Sequence, residues 1–145
     1  MIDERRVMSG TWGSLWMDGD LVGECYGFQA KVTLDKETVY MCGNNWAGHK
    51  VKNVSGSGSV RLRKVSSFMA RKIAADIRQG KDPRFVIISK LADPDAFGAE
   101  RVAVKNVSFD DLTLADWEAN ALGNVECPFT FRDFEYLDMV VAGNE

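Results

Sequence analysis

Phe28-Gln29-Ala30-Lys31-Val32-Thr33-Leu34 decides the fold. Phe28, Ala30, Val32 and Leu34 alternate with polar Gln29, Lys31 and Thr33. A period of two puts one face on a core and the other in polar surroundings, which only a β-strand does. Upstream, Leu15-Trp16-Met17 is a short apolar segment and Asp18-Gly19 is a hairpin signal. Residues 1–12 read as an irregular polar arm. Downstream, Asp35-Lys36 reads as a turn, and Val39-Tyr40-Met41-Cys42 as a short strand ending at Gly43.

Residues 43–58 hold four glycines and five asparagines or serines with weak periodicity: Gly43, Asn44, Asn45, Gly48, Asn53, Ser55, Gly56, Ser57 and Gly58. Read as a loop, this stretch far exceeds the ~2–5 residues of a hairpin connection, which marks it as functional or mobile. Trp46 sits near its middle and carries a large apolar surface; it either docks on a partner or folds back on its own domain. Alternation resumes with Val60 and Leu62 against Arg61 and Arg63. The period then changes: Met69, Ile73 and Ile77 recur every fourth residue, with Ala70 and Ala74 beside them. That stripe predicts one helix over about 66–79, with Ser66 as N-cap, Gly80 after its end and Pro83 beyond.

Phe85-Val86-Ile87-Ile88 reads as a buried strand and Asp93-Pro94-Asp95 with Gly98 as a loop. Val102, Val104, Val107 and Phe109 form a strand whose phase slips at Lys105-Asn106, the mark of a bulge. Phe129, Phe131, Phe134 and Tyr136 slip in the same way at Arg132-Asp133, and a bulge is expected there too. The tally is about seven or eight strands and one helix. The fold class expected is mostly β: a two-sheet β-sandwich, or barrel-like, with one flanking α-helix, as a single domain over 1–145.

The 145 residues suffice for one domain without disulfides or metals. No apolar run reaches the ~20 residues of a membrane span, and Met1-Ile2-Asp3-Glu4-Arg5-Arg6 lacks the apolar region of a secretory signal. Cys25, Cys42 and Cys127 form no C-x-x-C pair and read as buried or half-buried thiols in strands. Charge is unevenly placed. Residues 44–90 carry eleven Lys/Arg and two Asp/Glu, whereas residues 91–145 carry three Lys/Arg and twelve Asp/Glu. Either these segments neutralise each other within one fold, or they lie on different faces and attract neighbouring copies. A nucleic-acid patch is disfavoured, because the basic segment lacks interleaved aromatics.

The search for chemistry returns little. His49 is the only histidine, and nothing places a nucleophile or substrate beside it. No Cys/His cluster suggests zinc. Gly56-Ser57-Gly58-Ser59 lacks the Lys of a P-loop and reads as a flexible turn. Asp110-Asp111 and Asp93/Asp95 read as solvated loop acids without EF-hand spacing. No catalytic, metal or cofactor site is expected.

Several segments, in order, carry a family likeness. They are Ser9-Gly10-Thr11-Trp12-Gly13 leading into Leu15-Trp16-Met17-Asp18-Gly19, then Phe28-Gln29-Ala30-Lys31-Val32, and then Met41-Cys42-Gly43 through Gly48-His49-Lys50. Gly56-Ser57-Gly58, Lys81-Asp82-Pro83, Glu100-Arg101-Val102 and Pro128-Phe129-Thr130-Phe131 with Asp133-Phe134 complete the series. Over about residues 9–138 the chain resembles the tail tube proteins of contractile-tailed phages, particularly those of prophages, phage-like particles and bacteriocins. The resemblance implies a structural protein that forms hexameric rings stacked into an inner tube. It further implies sheath, baseplate and tape-measure partners, a conduit for DNA as passing cargo if the particle is a phage or else a membrane-puncturing tube, and a place in a virion tail or phage-like particle after assembly in the host cytoplasm. The arm at 1–12 and the loop at 43–58 are then the assembly elements, with Trp12, Asn44, Asn45, Trp46, His49, Lys50 and Lys52 as candidate contacts. A channel that passes DNA would favour an acidic wall, because phosphates adhere to Lys/Arg.

Three other readings compete. A secretion-system tube shares the architecture. A monomeric ligand-binding β-sandwich would line a pocket with Trp16, Tyr26 or Phe131. A small hydrolase would need His49.

Overall fold

The computed structural model describes residues 1–142; the last three positions of the expected 1–145 domain lie outside them. Eight strands and one helix follow one another: β1 (Gly13–Met17), β2 (Asp20–Leu21), β3 (Cys25–Val39), β4 (Gly48–Arg63), α1 (Phe68–Arg78), β5 (Phe85–Leu91), β6 (Glu100–Phe109), β7 (Asn124–Phe131) and β8 (Asp133–Asp138). The protein is mostly β with one flanking helix, as expected. The hydrogen-bonded path runs β2-β1-β5-β6-β7-β4-β3, with β8 also on β6. It is open: β2 and β3 are its ends, so it does not close into the expected barrel.

β6 joins the two halves of this path. Its first part pairs with β5 and β8, and its last two residues, Ser108 and Phe109, pair with β7. The change falls at the anticipated bulge. Lys105 and Asn106 together oppose Val86, and Asn106 takes a positive φ of 57°. The extra residue resets the alternation, so Val104 and Val107, three apart, are both buried. The slip at Arg132-Asp133 has a different cause. β6 keeps one register across it, Thr130 opposite Ser108 and Asp133 opposite Lys105, while the pairing with β4 ends at Phe131, so this is the loss of one neighbour and not a bulge within one strand.

The core lies between the two groups of strands. Leu15, Met17, Phe85, Ile87, Val104 and Val107 meet Val60, Leu62, Phe129 and Phe131. Phe28 stacks on Phe129 at 5.8 Å, Phe129 meets Phe109 at 6.0 Å, and Phe109 meets Phe85 at 5.7 Å. This run of rings crosses from β3 to β5 and adds edge and stacking attraction to area burial.

α1 is shorter than the predicted 66–79. Ser66 bonds the Glu24 carboxylate instead of capping, and Ser67 occupies the N-cap without a side-chain bond. Gly80 does follow the helix in a left-handed conformation, φ 72°. Met69 and Ile73 are buried, but Ile77 is half exposed, because the core ends before the last turn. The Asp18-Gly19 turn has φ of 51° and 86° and closes the β1–β2 hairpin, as its residues demand.

Candidate functional site: an exposed ribbon

The region read as a loop over 43–58 is largely strand. From Gly48 onward it forms β4, paired residue by residue with β3, and only residues 40–47 connect the two. Asp35-Lys36 is not a turn. β3 runs through it, with a register shift where Asn53 and Lys52 together stand opposite Asp35. Nor is Gly56-Ser57-Gly58 a flexible turn. It is strand interior, and the rings of Phe131 and Phe129 on β7 lie where the Cβ atoms of Gly56 and Gly58 would be.

β7 stops opposite Gly56. Beyond that point β3 and β4 have only each other, and every residue of 31–39 and 48–55 is exposed. At ~3.3 Å per residue this two-stranded ribbon projects roughly 30 Å. Its faces differ. Val32, Leu34, Val51 and Val54 continue the core face of Phe28 and Ala30 into solvent, with exposures of 38%, 52%, 40% and 57%. The bulge at Lys52 is what lets Val51 and Val54, three apart, share that face. The opposite face carries Thr33, Ser55 and Ser57, continued by Thr130 on β7. This outward face is hydroxyl-rich and carries charges of both signs, with Lys31, Asp35 and Glu37 on β3 beside Lys50 and Lys52 on β4.

The candidate contacts divide. Asn44, Asn45 and Trp46 stand together at the tip, where the Trp46 N–H donates to Asn44 Oδ1 at 3.0 Å and the indole is 84% exposed. His49 pairs with Thr38 on the apolar face. Lys50, opposite Glu37, and Lys52, 3.9 Å from Asp35, belong to the polar face. Trp12 is not among them. It ends a 3-10 turn at the start of β1, on the other part of the fold, half exposed. Sequence reasoning missed Val32, Leu34, Val51 and Val54 as a surface, and also exposed Tyr40 and Met41 at the tip. Their only signal was a strand pattern broken by one residue.

The arm is not irregular. Glu4–Arg6 and Gly10–Trp12 are 3-10 turns in which the Arg5 and Thr11 N–H groups donate to the side chains of Asp3 and Ser9. The arm is also tied to the 93–98 loop: the Ser9 N–H donates to Asp93 Oδ2 at 2.8 Å, and Arg6 donates to the Asp95 carbonyl while lying over Phe97. Of the thiols, Cys127 is buried and Cys25 half-buried, but Cys42 is exposed at the ribbon tip, contrary to expectation. Burial pushes the Cys127 thiol up to about 11, with the Asp111 and Glu126 charges adding to it. Lys72 pairs with Asp20, Lys52 with Asp35 and Arg84 with Asp82, whereas Asp138 and Glu135 pair with Arg101 and Lys105. None of these pairs joins the basic segment to the acidic third.

Known proteins share this arrangement. The chain superposes on a chain of the anti-feeding prophage tube-terminating cap with a TM-score of 0.73 and 10% identity, covering 96% of each. It superposes on a chain of an extracellular contractile injection system, the PVC sheath-tube complex, with a TM-score of 0.68 and 10% identity, covering 96% of this chain and 93% of that one. The fold is therefore of the class found in contractile injection systems. The sequence narrows it. The family model described as phage tail tube protein matches residues 1–138. The phage-like element PBSX protein XkdM of Bacillus subtilis (strain 168) is 33% identical over 134 residues, 90% of each chain. The chain belongs to the phage tail tube protein family, a structural and not a catalytic one.

Proposed function

We propose that this tail tube protein forms hexameric rings that stack into the inner tube of a contractile tail. The observation that carries the reading is the ribbon. A two-stranded β-ribbon with both faces in water is marginal by itself, and this one exposes an apolar face continuous with its own core. A neighbouring copy supplies the missing cover, and a contact between two different surfaces repeats into rings and filaments. Asn44, Asn45 and Trp46 at the tip, with His49, meet that neighbour; Trp12, on the arm, serves a separate contact. The hydroxyl-rich face of β3, β4 and β7 faces the channel. Sheath, baseplate and tape-measure proteins are the partners; the PVC neighbour from a sheath-tube complex supports the first. The tube is a conduit for DNA, as passing cargo, if the particle is a phage, and otherwise a membrane-puncturing tube.

Negative-stain electron microscopy of the purified full chain over a concentration series tests this. Sixfold rings or hollow tubes are expected, and Trp46→Ala is expected to raise the concentration they need. A wild-type chain that stays monomeric at every concentration overturns the proposal.

A further inference from the structure

A second surface is neither on the ribbon nor explained by it. The connection from β6 to β7 is held at both ends. The Asp110 N–H donates to the Pro128 carbonyl at 2.9 Å, and the Lys64 N–H donates to the Gly123 carbonyl at 2.8 Å. Between these ties, residues 114–122 have no helix or strand and every side chain is exposed. Leu114 is 87% exposed, Trp117 85% and Leu122 87%. Connections this long without structure of their own are uncommon in small domains and are usually functional. The loop is also purely acidic. Asp116 and Glu118 flank Trp117, and no Lys or Arg occurs from Asn106 to Phe131.

The surface complementary to it lies elsewhere on the same chain. Where β1 and β3 part, an open cleft of about 610 Å³ is bounded by the Gly10–Trp12 turn, β1, the start of β3 and the end of β5. Leu15, Val22 and Phe28 supply its apolar lining. Its charged lining residues are Arg61 and Lys90, and no carboxylate lines it. Arg61 stands opposite Glu126 in the strand register, yet its guanidinium lies over Gly27, toward the cleft. The volume is of the size that receives large ligand groups, and the charge is opposite to that of the loop. The ribbon tip, residues 40–47, carries no acid and is the poorer match.

We infer that residues 114–122 of one copy dock into this cleft on the next copy, Trp117 on the apolar floor and Asp116 and Glu118 against Arg61 and Lys90. This rests on the reading that copies assemble, and adds to the ribbon a second, head-to-tail contact. In the folded chain Trp117 lies in solvent and not in its own cleft, so the donor and acceptor that meet belong to different molecules. A contact of this heterologous kind propagates instead of saturating as a pair.

The test uses the full chain and sedimentation with electron microscopy. Trp117→Ala should raise the concentration needed for assembly roughly 30-fold, the scale of a central aromatic anchor. Arg61→Glu/Lys90→Glu makes the cleft acidic, and Asp116→Lys/Glu118→Lys makes the loop basic. Each double variant alone should fail to assemble. Their equimolar mixture should assemble, because every loop then finds an opposite cleft on the other variant; that recovery also shows both are folded. Carbodiimide treatment of mixed isotope-labelled wild-type copies should join Lys90 to Asp116 or Glu118 between molecules. If Trp117→Ala and both reversals assemble like wild type, the docking is wrong and the tube reading stands. If the reversals fail and mixing does not recover them, the loop is not the occupant. If wild type never assembles and no cross-link forms, both readings fall.

Discussion

Gly58 is the position where one added methyl group should do the most damage. A Cβ there falls far inside van der Waals contact with the Gln29 carbonyl oxygen, 2.7 Å from Phe129 Cζ and 3.0 Å from the Ala30 Cα. Two of these three neighbours are backbone, so no rotamer change relieves the clash and the β3–β4 ladder itself must shift. Overpacking of this kind costs about 1–3 kcal/mol. Alanine returns ~0.4–1 kcal/mol through the unfolded chain. The net loss for Gly58→Ala is then about 1.3 kcal/mol, or roughly 3–5 °C in Tm at this chain length. At Gly56 the nearest atoms all belong to the Phe131 ring, from 2.5 Å, and a ring can move. Gly56→Ala should therefore cost less, and Phe131→Leu should cost less in its background than alone, with a coupling on the order of 1 kcal/mol. Gly48, where a Cβ meets only the Val39 carbonyl oxygen at 3.7 Å, is the control; Gly48→Ala should be neutral or stabilising. Urea unfolding followed by circular dichroism, at concentrations where the chain is monomeric, measures all five variants. A Gly58→Ala variant as stable as wild type would refute the close approach of β3, β4 and Phe129, and with it the assignment of Gly56-Ser57-Gly58 to strand.

The same unfolding curves should show Ile73→Ala costing about 2–5 kcal/mol, since the side chain is buried, and Ile77→Ala much less, since the side chain is half exposed. Val54→Asp should leave the unfolding free energy within about 0.5 kcal/mol of wild type, because Val54 is 57% exposed, while abolishing rings in electron micrographs. At pH 8, iodoacetamide should label Cys42 first. Burial raises the Cys25 thiol, and burial with nearby carboxylates raises that of Cys127 to about 11, so both hold little thiolate at that pH. Peptide mapping reads the order, and Cys42 should become protected once tubes form.

What was legible in the sequence was whatever is decided within a few residues. The alternation from Phe28 to Leu34, the Asp18-Gly19 turn and the stripe of Met69 and Ile73 each state their own geometry. What failed depended on distant partners. Asp35-Lys36 has turn composition, but Asn53 and Val51 on the neighbouring strand hold it extended. Gly56 and Gly58 look flexible until Phe131 and Phe129, over seventy residues later, are laid across them. The two phase slips near the C-terminus looked alike because a bulge and the loss of a neighbour both shift the period by one. Only the pairing partners tell Lys105-Asn106 from Arg132-Asp133. In the sequence, Trp46 left docking and folding back equally open; only its place at the ribbon tip shows the indole exposed. The apolar face of the ribbon was not legible, because Lys52 interrupts its pattern.

The ribbon also sets how assembly must proceed. Holding a residue in one backbone conformation costs about 1–2 kcal/mol, and ordinarily burial repays it. No residue of 31–39 or 48–55 is buried in the single chain, so cross-strand pairs and the continuity of β3 and β4 with the body do most to order them. On the tube reading, docking the face of Val32, Leu34, Val51 and Val54 supplies that missing burial. The first ring must therefore order ribbons with little to cover them, whereas each later ring adds its copies to ribbons already in place. Growth from an existing end is then easier than starting a new tube, which calls for a partner such as a baseplate to present the first template. Amide exchange in the distal ribbon should accordingly be fast in the monomer and slow in the tube, with the core amides around Phe129 unchanged. Equal protection of the ribbon in both states would show that it is ordered without a neighbour, and the argument for templated growth would fail.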